Sequence, residues 1–343
     1  MIKIKNRIIS NDSKPLIIPE IGINHGGKIE TAFKIIDAAK KAGAEIIKHQ
    51  THTIDDEMSN EAKKIKPGNS RDNIFSIIKK NSLMEEEEYK LFKYVEKNKM
   101  IFLSTPFSRN AVDRLIKFGV SAFKIGSGEM SNFPLLDYVS KFKKPLIVST
   151  GLHNIKQVKK TFSFLKKKNT KFALLHTTNI YPTANNLVRL GAMTELQLSF
   201  PEALFGLSDH TLTNHACFGA VAMGASILER HYTDSMKREG PDIINSMDPK
   251  AAKELVEGSK ILKMERGGSK GPIEEEKPVI DFAYASVVTI KDIKQGEIFS
   301  KENLWVKRPG SGPLFASDFK NILGKKASKN IIQDSHLKHT DIL

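Results

Sequence analysis

The chain has 343 residues, of which 40% are hydrophobic and 27% are charged, so it can bury a sizeable core in one large domain plus a small one, or in two domains of middling size. No run approaches the ~18 apolar residues that a membrane-spanning helix needs. The N-terminal segment MIKIKNRIIS lacks the continuous apolar stretch of a secretory signal. The single cysteine, Cys217, excludes an intramolecular disulfide framework. Together these features predict a cytoplasmic enzyme or binding protein.

The formal net charge of +15 raises the question of nucleic-acid binding. Many of the basic residues lie in short runs such as Lys166–Lys168, which is typical of solvated surface. The sequence contains no nucleic-acid-binding motif, no aromatic residues interleaved among the lysines and no Cys/His finger. We therefore expect no nucleic-acid partner, although a positive field would help to attract a small anionic substrate.

Short apolar segments rich in Ile, Val and Leu recur along the chain, as expected for parallel strands that are buried on both faces. The predicted strands are Leu16–Gly22, Ala44–Gln50, Met100–Pro106, Ser121–Ser127, Pro145–Thr150, Lys171–Thr178, Ala203–Asp209 and Ala225–His231. Segments of helical periodicity separate them. Ser108, Asn154 and Asp248 are predicted N-caps, and Gly119 is a predicted helix stop.

Eight strands that alternate with helices over about 260 residues predict a closed (β/α)8 (TIM) barrel. The alternative is an open, doubly wound sheet, but the segment IGINHGG does not fit the G-x-G-x-x-G turn that usually follows its first strand. We assign residues 1–265 to the barrel and the glycine- and charge-rich residues 266–282 to a linker. Residues 283–343 have the short elements of a small α+β module, with predicted strands at Tyr284–Ile290 and Asn303–Val306.

Polar side chains cluster where the predicted strands end, and the carboxyl ends of barrel strands are where active sites lie. Lys48 and Lys124 follow apolar strand bodies, and hydroxyl groups end other strands at Ser127, Ser149 and Ser208. Positive charge with short hydrogen-bond donors is suited to a ligand that carries a phosphate and a carboxylate. Alternatively, the two lysines pair with strand-end carboxylates such as Glu20 or Glu129.

Two histidines, His210 and His231, end the seventh and eighth predicted strands, which are neighbours in a closed barrel. Adjacent imidazoles at a polar rim are suitable ligands for manganese, zinc or iron. The alternative is that both histidines are structural.

Ordered motifs run along essentially the whole chain: PEIGINHGG, KHQTH, STPFSR, FKIGSGE, IVSTG, NIYPT, GLSDHT and ERHYTD, then GPD and a late VKRPG. In order and spacing the chain resembles the sialic acid synthase family, and its C-terminal module resembles that family's antifreeze-like (SAF) domain. The segments KHQTH and DEMSNEAKKIKPGN are most similar to bacterial N-acetylneuraminate synthases. Two segments, GEMSNFP and GLHN, depart from the commoner family forms, which leaves any contacts of Met130 and His153 open.

The resemblance implies a cytoplasmic transferase that condenses phosphoenolpyruvate (PEP) with N-acetylmannosamine and releases phosphate by C–O cleavage. It implies a divalent metal, most often Mn²⁺, held by His210 and His231, and a domain-swapped homodimer. Residues implied around PEP are Lys48, Thr105, Lys124, Ser127, Ser149, Asn179, Ser208 and His210. Residues implied around the sugar are Gln50, Asn69, Glu129, Tyr181, Asp242 and, from the partner subunit, Arg308.

In the implied reaction the metal polarises the sugar aldehyde as C3 of PEP attacks it, and water then adds at C2. Glu20 is the candidate for activating that water, or else it forms a salt bridge to a lysine. Two alternative functions stay open at this point. One is a legionaminic or pseudaminic acid synthase that uses a 6-deoxy diacetamido sugar. The other is a carbohydrate-binding protein without catalysis.

Overall fold

A closed barrel of eight parallel strands forms the centre of the larger of two compact units, Met1–Gly267 and Gly268–Leu343. The computed structural model describes residues 1–66 and 72–343. The barrel strands are β3 (Leu16–Gly22), β4 (Ile46–Thr51), β5 (Ile101–Pro106), β6 (Phe123–Ile125), β7 (Leu146–Ser149), β8 (Phe172–Thr177), β9 (Leu204–Asp209) and β10 (Ile227–His231), after a hairpin of β1 (Ile2–Ile4) and β2 (Arg7–Ile9). Each barrel strand pairs with the next along the chain, and β10 closes the ring on β3. This arrangement confirms the predicted (β/α)8 fold and all eight predicted strands.

Helices lie between the strands and after β10, and three of them begin at the three predicted caps. They are α1 (Ile29–Lys41), α2 (Ile54–Glu57), α3 (Ile74–Asn81), α4 (Glu85–Lys97), α5 (Arg109–Phe118), α6 (Phe133–Ser140), α7 (Ile155–Lys167), α8 (Leu190–Ser199), α9 (His215–Ala222) and α10 (Pro249–Glu265). The side chains of Ser108, Asn154 and Asp248 each accept a hydrogen bond from a backbone N–H in the first turn of the helix that follows. Gly119 ends α5 with a φ of 87°, which glycine adopts without steric cost.

The hairpin β1–β2 is an element that we did not predict. Its buried residues Ile2, Ile4 and Ile9 belong to the same hydrophobic cluster as Leu16 and Ile46, the first residues of two barrel strands. The hairpin therefore closes the amino-terminal end of the barrel, leaving the carboxyl ends of the strands for a site. The alternation Ile2-Lys3-Ile4 has the period of two that is typical of a half-buried strand.

The second unit is a small α+β module with its own core. Two antiparallel strands, β11 (Ser286–Thr289) and β12 (Leu304–Lys307), cover the predicted strand positions. The helices of this unit are α11 (Lys277–Ala283) and α12 (Phe319–Ile322), and its core includes Val287, Phe299 and Leu337. The segment 266–282, which we assign to a linker, therefore includes residues 277–282 of the short helix α11. Within the ranges that the structure covers, no helix is both long and apolar enough to cross a membrane.

Replacing Ile4 by alanine should destabilise the barrel. Ile4 is fully buried in the hydrophobic cluster at the amino-terminal end of the barrel, whereas Ile8 in the same hairpin is 47% exposed. Loss of a buried isoleucine side chain typically costs about 2–5 kcal/mol, and an exposed one less than about 0.5 kcal/mol. Urea unfolding of Ile4→Ala and Ile8→Ala should therefore give a much lower midpoint for the first variant only. Equal midpoints would mean that the hairpin does not pack into the barrel.

Candidate active site

A cavity of about 220 Å³ opens at the carboxyl ends of the barrel strands. Where one strand contributes two residues to its wall they are spaced two apart, because alternate residues of a strand share one face. Lys48 and Gln50 on β4 show this spacing, as do Glu229 and His231 on β10. The lining residues are Glu20, Lys48, Gln50, Thr105, Phe107, Lys124, Gly126, Ser127, Gly128, Ser149, Thr177, Asn179, Tyr181, Ser208, His210, Glu229, His231 and Asp242.

Most of the described site residues that were named from the sequence line this cavity, and Glu129 and Arg308 are not among the lining residues. Glu129 is half-buried outside it, where its carboxylate accepts a hydrogen bond of 2.6 Å from Asn132. Asn69 lies outside the described residues, and Arg308 is an exposed residue of the second unit. Sequence reasoning did not select Phe107, Thr177 or Glu229. Glu229 was detectable, because it precedes His231 by two residues and so shares its face of the strand.

Two lysines and two glutamates form a chain of charges across the cavity floor. Lys48 Nζ lies 2.5 Å from Glu20 Oε2 and 3.8 Å from Glu229 Oε1, and Lys124 Nζ lies 3.4 Å from the same Glu229 atom. All four side chains are no more than 4% exposed. The alternative that the lysines pair with strand-end carboxylates is therefore confirmed for Lys48 and Glu20. Its other example, Glu129, is wrong, because Glu229 takes that place as the end of β10 faces inward.

Burial and charge act in opposite directions on these groups. Burial alone would raise the pKa of Glu20, but the neighbouring Lys48 ammonium outweighs it and holds that pKa well below its usual range. Burial lowers the pKa of Lys124, and the carboxylate of Glu229 partly restores it. Glu20 is thus ionised at neutral pH. Lys124 also donates a hydrogen bond of 2.7 Å to Ser149 Oγ, which fixes the direction of its side chain.

Several buried polar atoms of the cavity have no hydrogen-bond partner in the described part of the chain. They are Ser127 Oγ, Asn179 Oδ1, Glu229 Oε2 and His231 Nδ1. More than about 90% of buried polar groups in folded proteins are paired, and leaving one unpaired costs about 1–3 kcal/mol. Unpaired donors and acceptors that converge on one cavity indicate a polar ligand.

The two predicted metal ligands lie side by side, with ring centroids 5.5 Å apart. Nδ1 of His210 lies 2.8 Å from the carbonyl oxygen of Thr178, which can only accept, so Nδ1 carries the hydrogen and Nε2 keeps a lone pair. Burial and the neighbouring His231 lower the pKa of His210 to about 3, so the ring is neutral. A neutral imidazole oriented by a backbone carbonyl is the usual form of a histidine metal ligand.

The donor set around these rings fits a metal that shares its remaining positions with substrate or water. Among the described residues, no group of three or more His, Cys, Asp or Glu side chains is arranged to hold a metal. The unpaired Nδ1 of His231 and the free Nε2 of His210 supply two nitrogen donors, and Asp242 Oδ2 lies 3.8 Å from His231 Nδ1. These residues therefore fit a two-histidine site with open positions.

A buried ion pair on the outer face of β9 and β10 positions both histidines. Asp209 and Arg230 directly precede His210 and His231 and point away from the cavity, where Arg230 Nε lies 3.3 Å from Asp209 Oδ2. The same guanidinium donates hydrogen bonds of 2.7 Å to Asn214 Oδ1 and 2.6 Å to the Thr211 carbonyl. The pair ties the two strand ends together and limits how far the two imidazoles can move apart.

A second histidine pair lies behind β4 and has all its ring nitrogens occupied. His25 Nδ1 accepts a hydrogen bond from the backbone N–H of Gly27, so its Nε2 donates to His49 Nε2 at 3.2 Å. His49 Nδ1 then donates to Glu88, at 3.2 Å. Burial, and then the neighbouring His49, lower the pKa of His25 to about 3. This pair is a closed structural network and leaves no nitrogen for chemistry.

Known proteins resemble both units of the chain. The profile of the NeuB family matches residues 35–270, and that of the SAF domain matches residues 284–343. The N,N'-diacetyllegionaminic acid synthase of Campylobacter jejuni is 36% identical over 95% of this chain and 99% of the relative. The N-acetylneuraminate-9-phosphate synthase of Homo sapiens is 30% identical over 93% of this chain and 90% of the relative.

A solved structure gives the same assignment. The N-acetylneuraminic acid synthetase of Leptospira borgpetersenii, crystallised with citrate, superposes with a TM-score of 0.75 and 28% identity over 81% of this chain and 94% of the other. The barrel, the SAF domain and the relatives agree with the resemblance drawn from the motifs. The chain belongs to the NeuB family of sialic acid synthases and their relatives, with a C-terminal SAF domain.

Proposed function

We propose that this chain condenses PEP with the aldehyde of an N-acylated amino sugar to form a nine-carbon sugar acid, with release of phosphate by C–O cleavage. The observation that carries the proposal is the polar cavity itself. It combines two buried lysines with convergent, unpaired polar atoms and a pair of imidazoles. A ligand with both a phosphate and a carboxylate would satisfy these groups, and family membership supports this choice.

The cavity residues divide into two groups by what they can bind. Lys48 and Lys124, with hydroxyl groups at Thr105, Ser127, Ser149 and Ser208, offer the donors for PEP. On what we call the sugar side, Gln50, Tyr181 and Asp242 surround Glu20 and the two imidazoles and would face the sugar. His210 and His231 would hold a divalent metal such as Mn²⁺, which supplies Lewis acidity when bound.

Glu20 is the group that we assign to orienting the attacking water. Its carboxylate is ionised and held by Lys48 at 2.5 Å and by Gln50 Nε2 at 2.6 Å. An anionic carboxylate can accept a hydrogen bond from water and align it. It would also stabilise the positive charge that develops at C2 of PEP after the new carbon–carbon bond forms.

Two acceptor sugars fit this proposal. The KHQTH segment favours N-acetylmannosamine, which would make the chain an N-acetylneuraminate synthase. The relatives favour a 6-deoxy diacetamido sugar, since the diacetyllegionaminic acid synthase is 36% identical and the human N-acetylneuraminate-9-phosphate synthase 30%. Phosphate release from PEP with manganese, measured with each sugar in parallel, tests both. Turnover with one sugar alone identifies the acceptor. If neither sugar leads to release of phosphate from PEP, the proposed function is refuted.

The variant His231→Ala should lose metal-dependent turnover while the fold survives. The imidazole is one of two nitrogen donors, and Lewis-acid stabilisation is worth several kcal/mol, so we expect a loss of about 100-fold or more. Titration with Mn²⁺ should show weakened binding, and circular dichroism should be unchanged. His215→Ala, on the surface near α9, is the matched control and should keep full activity. Full activity of His231→Ala with metal stripped away would overturn the assignment.

Arg308→Ala should weaken use of the sugar more than binding of PEP. In the proposed domain-swapped homodimer, Arg308 of one subunit reaches the N-acyl group of a sugar in the other. Loss of a charged hydrogen bond costs about 1.5–3 kcal/mol, which corresponds to a rise of roughly 10- to 100-fold in the KM for the sugar. The control is Lys307→Ala, because the ammonium of wild-type Lys307 pairs with Asp334 at 2.5 Å. An unchanged KM for the sugar in Arg308→Ala would count against the proposal.

A further inference from the structure

The carboxylate of Glu20 determines which end of the Gln50 amide faces it. Gln50 Nε2 lies 2.6 Å from Glu20 Oε1, and the other oxygen of Glu20 accepts from Lys48 Nζ at 2.5 Å. A carboxylate held by an ammonium only accepts hydrogen bonds, so the NH₂ group of Gln50 must face it. The amide oxygen of Gln50 therefore points the opposite way, out of the cavity and towards His52.

His52 is placed between two acceptors. Its Nε2 lies 3.2 Å from Gln50 Oε1, and its Nδ1 lies 2.8 Å from Glu57 Oε2, at the end of α2. Both partners are acceptors, so each contact is a hydrogen bond when the ring nitrogen that faces it carries a hydrogen. The contact of Nε2 with Gln50 is the one that reaches the cavity wall.

The His52–Glu57 contact is buried directly behind the cavity wall. The side chains of His52 and Glu57 are 2% and 9% exposed. The imidazole ring stacks on Phe107, a cavity residue, with ring centroids 4.6 Å apart and planes 6° from parallel. Burying two polar side chains costs more than burying apolar groups of the same shape, so the pair is not explained by stability alone.

We propose that His52, together with Glu57, is a positioning residue that fixes the amide of Gln50 and, through it, the carboxylate of Glu20. Neither His52 nor Glu57 lines the cavity, so both act through Gln50. The chain Glu57–His52–Gln50–Glu20 holds the sugar side of the cavity in one hydrogen-bonding pattern. This role rests on the proposed function for its catalytic consequence, whereas the hydrogen-bonding pattern itself does not.

A double-mutant cycle tests the positioning role. His52→Phe keeps the stacking on Phe107 and removes both ring nitrogens, and it should lower kcat/KM for the sugar about 10- to 100-fold, because small misplacements of reacting groups have effects of this size. The KM for PEP should change by less than about twofold, since the lysine side of the cavity is untouched. In a Gln50→Ala background the same His52→Phe change should have almost no further effect, because its target is already gone.

A control and a contrary outcome accompany the cycle. His153→Phe removes another histidine that bridges two groups, Gly151 O and Ser131 Oγ, outside the cavity, and it should leave turnover unchanged. Wild-type turnover establishes the proposed function separately. If wild type is active and the effects of His52→Phe and Gln50→Ala simply multiply, His52 has only a structural role and the inference is wrong.

A spectroscopic measurement decides the matter without turnover. In ¹⁵N-histidine-labelled protein, the ring of His52, identified by its absence in His52→Phe, should carry a hydrogen on Nε2, the nitrogen that faces Gln50 Oε1. A wild-type ring with an unprotonated Nε2 would overturn the proposal whatever the enzyme's activity.

Discussion

The site depends on the burial of charged side chains inside the barrel, where water cannot solvate them. Lys48 and Lys124 are both no more than 3% exposed, and each is compensated by a glutamate at the end of another strand. Such an arrangement is stable only if every charge has a partner at short range. The alternation of side chains along parallel strands provides this, because it points Glu20 and Glu229 to the same face as the lysines.

From this constraint follow the other features of the cavity. A chain of alternating charges holds each side chain in one direction, so the hydroxyl and amide groups between them can converge on a ligand rather than on solvent. Behind the wall, the Asp209–Arg230 pair ties β9 to β10, and the His52–Glu57 pair supports β4. Buried polar contacts on the outer side of the cavity thus restrict the positions of the side chains that line it.

The sequence was sufficient for the barrel, because strands buried on both faces read as continuous apolar runs and helix caps such as Ser108 and Asn154 have a local chemical cause. It was also sufficient for most of the cavity, because polar residues at strand ends converge in a barrel. The β1–β2 hairpin was missed because its strands are three residues long. Glu229 was given no role, although its spacing from His231 placed it on the same face of the strand, because its partner lysines come from distant strands.

The position of His52 and Glu57 could not be predicted at all. Which acceptor faces each ring nitrogen is a matter of a few tenths of an ångström in three dimensions, and the segment KHQTH carries no periodic pattern that fixes it. The acceptor sugar is similarly undetermined by pattern, since relatives named for different sugar acids are 36% and 30% identical to this chain. Binding residues often lie on loops, where local sequence constrains structure least.

The central claim is that the buried lysines form the anion site for PEP, and titration calorimetry with PEP in the presence of Mn²⁺ tests it most directly. Lys124→Met keeps the apolar stem and removes the ammonium, while Lys166→Met removes an exposed ammonium that pairs with Glu202 at 2.7 Å. We expect Lys124→Met to bind PEP about 10- to 100-fold more weakly, the size of a lost charged hydrogen bond, and Lys166→Met to bind like wild type. Equal affinity in all three proteins would contradict the claim and place the anion elsewhere.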